Sequence, residues 1–146
     1  PDGEPTEISN PIRFYISTWG GDLLAMFAIY DMMRLTREEC IIETVGLGKV
    51  MSAGVLLLAA GTKGHRKIGK NTRVMIHNVQ AGHYGALPSL ENELNEVLCM
   101  QSQMTSALVA ETNLTTKQLK KMLDRKVDVY IDAEEAIRLG MADIII

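Results

Sequence analysis

The sequence predicts an α/β protein. Short stretches rich in β-branched and aromatic residues alternate with stretches whose apolar residues recur at helical spacing, and glycines or capping residues mark most of the boundaries. No internal repeat, linker or low-complexity tract interrupts the alternation, so residues 1–146 are read as one domain, with about 1–11 flexible.

The elements follow in order. Arg13 to Thr18 is a strand that Gly20-Gly21 breaks. Asp22 caps a helix whose Leu23, Met26, Phe27, Tyr30 and Met33 share one face. Ile41 to Val45 is a second strand, followed by a loop holding Gly46 and Gly48. Ser52 to Ala60 is apolar on nearly every side and reads as a short buried helix ended by Gly61. His65 to Ile68 and Arg73 to His77 read as two strands joined by a turn at Gly69-Lys70-Asn71. The basic residues around them suggest a solvated hairpin. Gln80 to Gly85 is a loop. A long helix covers Ser89 to Glu111, and Thr115 or Thr116 caps another that runs to about Leu123. Val129 to Ile131 is a short strand, Asp132 to Glu135 opens a helix that Gly140 stops, and Met141 to Ile146 is a last strand.

Composition narrows the function classes. Apolar residues make up 47% and charged residues 23%, a globular balance, and the net charge of −3 gives no basic face for phosphate. No nucleic-acid partner is expected. The longest apolar run, Val50 to Ala60, is about half of a membrane span, so no membrane partner is expected and a cytoplasmic location is the default. Cys40 and Cys99 read as reduced, packed thiols, and no metal or cofactor motif is present.

The long helix points to assembly. Leu90, Leu94, Val97, Leu98, Gln101, Met104 and Leu108 form one stripe over a helix about 34 Å long. A helix of that length projects beyond the core of so small a chain, and a homo-oligomer would cover the projecting face.

Chemistry is suggested at Ser52, where a loop gives way to a buried helix. A serine there is ordinarily an N-cap, but free N–H groups at a helix start also stabilise a negative oxygen. A serine hydroxyl needs a base. Of the three histidines, His77 ends a strand, where sites form in α/β sheets. His65 lies in the basic stretch and His83 in a glycine-containing loop. A carboxylate would then hold the imidazole. Asp124, Asp128 and Asp143 compete for that role, and Asp132 is better explained as a helix cap.

Gly46-Leu-Gly-Lys-Val-Met-Ser-Ala-Gly-Val-Leu-Leu-Leu-Ala-Ala-Gly61, with Asn71-Thr-Arg-Val-Met-Ile-His77, resembles the serine and histidine motifs of the ClpP family of ATP-dependent serine peptidases. The 25-residue separation of Ser52 and His77 agrees with that pattern. Arg13 to Gly21 resembles the family's Gly-Gly segment, and Asp128 to Gly140 the segment that supplies its aspartate. The resemblance implies a ClpP/crotonase-like fold of stacked βαβ units with a protruding helix. It implies a triad of Ser52, His77 and Asp128, and an oxyanion hole from the N–H groups of Ala53 and Gly21, with Gly20 as the alternative. By the same resemblance, the loop holding Gly82 and Gly85 matches the family's glycine-rich strand, which would bind the substrate peptide as an added strand. It further implies polypeptide substrates, stacked heptameric rings enclosing the sites, and a ring-shaped ATPase partner.

Departures from the family pattern are Trp19 for proline, Ala53 for methionine, Val79 for proline and Val127 for arginine. The family's N-terminal loop, helix and strand have no counterpart, so the chain is read as short or truncated at its start: a natural minimal form or part of a longer chain. Two other readings compete with a working peptidase. One is a catalytically silent ClpP-like assembly subunit. The other is an acyl-CoA enzyme of the crotonase type, for which a serine–histidine pair has no purpose.

Overall fold

A computed structural model describes residues 10–125 and 127–146, so most of the stretch expected to be flexible lies outside the described residues. The elements run β1 (Ile12–Thr18), α1 (Leu23–Thr36), β2 (Ile42–Met51), α2 (Ala53–Ala59), β3 (Arg66–Ile68), β4 (Arg73–Ile76), α3 (Leu87–Glu111), α4 (Thr116–Leu123), β5 (Val129–Ile131), α5 (Ala133–Arg138) and β6 (Ile144–Ile145). The α/β class holds, with a mixed six-stranded sheet in the order β5-β4-β2-β3-β6, to which β1 adds on β2.

Strand β2 organises the sheet. On one edge it takes β1 in parallel from Ile12↔Ile42 to Thr18↔Val50. On the other edge it takes β3 along Thr44–Gly46 and β4 along Lys49–Met51, both parallel. The expected hairpin of His65–Ile68 and Arg73–His77 is therefore wrong. The two strands lie end to end along one edge, and the turn between them is a jog. Nor does β2 stop at Val45. It continues through Gly46 and Gly48, because neighbours on both sides supply the ladder that glycine propensity alone would not. Gly48 adopts φ +67°, and the β1 register slips there, so the strand bends without ending.

The basic stretch is not wholly solvated either. Arg66 is 3% exposed. Its Nη1 donates to the carbonyls of Glu111 and Gly140 at 2.8 Å, and its Nε donates to Asp143 Oδ2 at 2.8 Å. Nη2 also donates to Asp143 Oδ1, so each of the three guanidinium nitrogens has an acceptor, which makes burial of the group tolerable.

Helices begin where the side chains cap them. Ala25 N–H donates to Asp22 Oδ1 at 2.7 Å, and Glu135 N–H donates to Asp132 Oδ1 at 2.8 Å. Thr115 and Gln118 form a reciprocal capping box. Helix α2 is buried at every residue from Ala53 to Ala59, under the centre of the core. Gly54 lets it approach β1: a Cβ there would stand 2.4 Å from Thr18 Cγ2. The last strand is shorter than expected, because Met141 and Ala142 turn into the core before β6 starts.

Helix α3 starts at Leu87, two residues earlier than expected, with Pro88 in its first turn. At 1.5 Å per residue it spans about 37 Å. Its buried residues, Met104, Thr105, Leu108 and Glu111, all lie in the C-terminal third. Leu87, Leu90, Leu94 and Leu98 are exposed, and Cys99, expected to be packed, is exposed with them. The C-terminal end is tied down by Glu111. Its carboxylate accepts from Arg37 Nη1 and Nη2 at 2.9 and 3.0 Å and from Tyr30 O–H at 2.9 Å. Burial alone would raise the Glu111 pKa, but the bonds from Arg37 and Tyr30 outweigh it and the net shift is downward. Burial, reinforced by the Glu111 bond, pushes Tyr30 up to about 12.

Candidate active site

Ser52 occupies the one-residue turn between β2 and α2. Its N–H donates to the Met75 carbonyl at 2.8 Å, which continues the β2–β4 ladder. Its backbone has φ +54° and ψ −124°, and it is the one non-glycine residue with positive φ among the described residues. Such a conformation costs about 1–3 kcal/mol and persists only where the surroundings enforce it. The helix-cap reading of this serine fails, because the side chain makes no capping bond. Instead Oγ lies 2.7 Å from His77 Nε2, in position for the hydroxyl to donate to the ring.

His77 directly follows β4 and is half-buried. The two residues after it are pinned. Asn78 Nδ2 donates to the Leu123 carbonyl at 2.9 Å, and Val79 N–H donates to Gln101 Oε1 at 2.7 Å. The C-terminal end of α4 and the middle of α3 thus both hold the segment that follows His77. Sequence reasoning placed Gln101 in an apolar stripe and gave it no task. The signal was its polarity within that stripe.

Asp128 immediately precedes β5, which pairs antiparallel with β4 through Ile76↔Val129. One further step of that register sets Asp128 opposite His77. Asp128 is exposed, and among the described residues it makes no hydrogen bond to His77. Of the competitors, Asp143 is committed to Arg66 and to Gly64 N–H, while Asp132 caps α5. Asp124 follows α4 as its C-cap.

The Gly20-Gly21 turn lies directly against the serine. A Cβ on Gly20 would meet Ser52 Cβ at 2.7 Å and Oγ at 3.2 Å. Gly20 N–H donates to Thr18 Oγ1 at 3.0 Å. The N–H groups of Gly21 and Ala53 have no acceptor among the described residues. Gly54 admits strand β1 at close range.

A cleft of about 390 Å³ opens beside Ser52 and His77. Trp19 and Gly21 border it, and Met100, Met104, Leu108 and Leu123 give it an apolar side in which Gln101 and Thr105 are polar. The loop carrying Gly82 and Gly85 is irregular and exposed, and it pairs with no strand of the described chain. In it His83 Nε2 is hydrogen bonded to Ser89 Oγ at 2.9 Å.

A strained serine at a strand-to-helix turn, bonded to a histidine, is the arrangement an acyl-transfer nucleophile requires. Comparison with known protein families gives a match to the Clp protease model over residues 4–146. The chain belongs to the Clp protease family. It is similar to the ATP-dependent Clp protease proteolytic subunit 4 of Rhodococcus jostii, 37% identical over 135 residues, which cover 92% of this chain and 68% of that one. Against the ATP-dependent Clp protease proteolytic subunit of Deinococcus radiodurans the identity is 36% over 135 residues, covering 92% and 64%. Against the chloroplastic Clp protease proteolytic subunit 4 of Arabidopsis thaliana it is 36% over 132 residues, covering 90% and 44%. The chain therefore spans between 44% and 68% of the length of these Clp relatives. No helix among the described residues is long and apolar enough to cross a membrane.

Proposed function

We propose that this chain is a serine-type endopeptidase subunit that hydrolyses unfolded polypeptides inside an oligomeric chamber. The 2.7 Å bond between Ser52 and His77 carries the reading, since it takes the serine side chain away from the helix it would otherwise cap. In this mechanism Ser52 Oγ attacks the peptide carbonyl as His77 Nε2 takes its proton. The same proton then passes to the leaving amine, and water repeats the sequence on the acyl-enzyme. Asp128, opposite His77 across the β4–β5 register, would hold the imidazole and offset its charge.

The oxyanion would sit on the N–H groups of Gly21 and Ala53. Gly20 is the weaker candidate, because its N–H already serves Thr18. Losing one such donor typically costs about 3–4 kcal/mol of transition-state stabilisation. The cleft would take an apolar side chain, and the segment with Gly82 and Gly85 would pair with the substrate main chain as an added strand. The fold is then a single peptidase domain of the ClpP/crotonase-like kind, with stacked βαβ units and α3 protruding. The exposed leucines of α3 support assembly into stacked heptameric rings. A ring-shaped ATPase partner and a cytoplasmic location complete the proposal.

One observation favours a second reading, a catalytically silent assembly subunit: Asp128 does not bond His77. A fluorophosphonate probe decides between them. The peptidase reading requires an adduct on Ser52 of the assembled protein and hydrolysis of a fluorogenic peptide that Ser52→Ala abolishes. An unlabelled Ser52 in a complete oligomer leaves the silent subunit.

A further inference from the structure

Trp19 is the sole tryptophan of the sequence, and it stands 71% exposed on the turn between β1 and α1. Its side chain borders the cleft that holds Ser52 and His77. The Lys49 ammonium lies over its ring, 5.1 Å from the centroid. Stacking on the indole fixes the cation at one point of the rim while leaving N–H groups for an anion. Among the described residues Lys49 forms no ion pair. Arg73 is its partner in the β2–β4 ladder, so both side chains leave the sheet on one face. Arg73 is exposed and likewise forms no ion pair among the described residues. Asp22 is the one acid lining the cleft, and its Oδ1 accepts from Ala25 N–H. Beside Trp19, next to the cleft, thus stand a lysine and an arginine that no ion pair neutralises among the described residues, against an exposed aromatic face and within a protein of net charge −3.

We infer that Trp19 and Lys49 form a side-chain subsite for the substrate peptide, in which an acidic side chain lies along the indole and places its carboxylate on the Lys49 ammonium. This rests on reading the adjoining cleft as the peptidase site. The indole supplies contact area for the side-chain methylenes, and the ammonium supplies the charge. Main-chain pairing accepts any sequence, so a fixed charge at one rim position adds a preference to otherwise permissive binding.

The test uses the assembled wild-type protein and fluorogenic peptides that differ only by glutamate or glutamine, scanned across the positions flanking the scissile bond. At one position glutamate is expected to lower KM about three-fold relative to glutamine, the scale of a solvent-exposed ion pair. Raising salt from ~50 to ~500 mM is expected to bring that ratio toward one. Lys49→Gln removes the ratio, Lys49→Glu inverts it, and Lys49→Arg keeps it. Because Trp19 is the sole tryptophan, titrating Ser52→Ala protein with the uncleaved peptides reads occupancy directly from its emission. A ratio of one at every position, a ratio that persists in Lys49→Gln, or unchanged Trp19 emission at saturating peptide overturns the subsite. If fluorophosphonate labels Ser52 while the ratio is one, the subsite alone has failed. If Ser52 is not labelled, the peptidase reading has failed, and the emission titration still decides the subsite.

Discussion

Replacing Gly20 with alanine is expected to disable Ser52 without removing any group that takes part in the chemistry. The added Cβ would stand 2.7 Å from Ser52 Cβ and 3.0 Å from the Met51 carbonyl oxygen. Carbon atoms pack at about 3.5–4.0 Å, so Ser52 must retreat by roughly 1 Å. The same shift would stretch the 2.7 Å bond to His77 well past hydrogen-bond length. A displacement of that size typically costs about 100-fold in rate. Gly20 also has φ +104°, and overpacking adds to the strain, giving a stability loss of about 2–4 kcal/mol. Gly21→Ala is the complementary variant: a Cβ there meets nothing within 4 Å, but the φ of +156° strains any residue that carries one, so a loss of labelling in it comes from the backbone of the turn and not from a clash with Ser52. The assay is the rate of fluorophosphonate labelling of Ser52, measured beside thermal unfolding so that folded fractions are known. Ser52 labelling in Gly20→Ala at the wild-type rate would refute the claim that this turn sets the nucleophile.

Three further outcomes are expected. Asp128→Asn should lower kcat by roughly 10³–10⁴ with the oligomer intact by size-exclusion chromatography; undiminished turnover would hand the role to Asp124. Gln101→Leu frees Val79 N–H from its anchor while keeping the stripe apolar, so it should reduce kcat more than it reduces the melting temperature; equal losses would make Gln101 purely structural. Glu111 and Asp143 both have depressed carboxyl pKa values. In each, burial acts against the shift, and hydrogen bonds and charge from Arg37 and Tyr30 or from Arg66 overcome it. Groups depressed on folding contribute stability above their unfolded values, near 4, and lose it as pH falls through the lower folded ones. Melting temperature should therefore drop below about pH 4. Glu111→Gln, which leaves Arg37 without its counter-charge, should cost about 3 kcal/mol at pH 7 by denaturant titration and flatten that acid dependence.

Much of the fold is legible in local chemistry. Asp22, Thr115 and Asp132 each cap the helix that the apolar spacing assigns to them, because a cap is written within four residues. What escaped depends on partners distant in sequence. Gly46 and Gly48 look like a loop until β1, β3 and β4 are seen to flank them. Arg66 looks solvated until Asp143 and the carbonyls of Glu111 and Gly140 close around it. The site divides the same way. Ser52 and His77 stand out because motif and strand end coincide, and the folded chain joins them. Asp128 could only be placed by resemblance, and the backbone register brings it opposite His77 without a bond. The anchors Asn78 and Gln101 act through main-chain contacts that no spacing encodes.

The positive φ of Ser52 has a last consequence. Glycine adopts that geometry freely, so Ser52→Gly should make the subunit harder to melt, by about 1 kcal/mol, as it ends catalysis. Selection for endurance alone would drift toward glycine at this position. A side chain kept there against that drift marks work still being asked of it, whereas a lineage reduced to scaffolding would be free to let it relax.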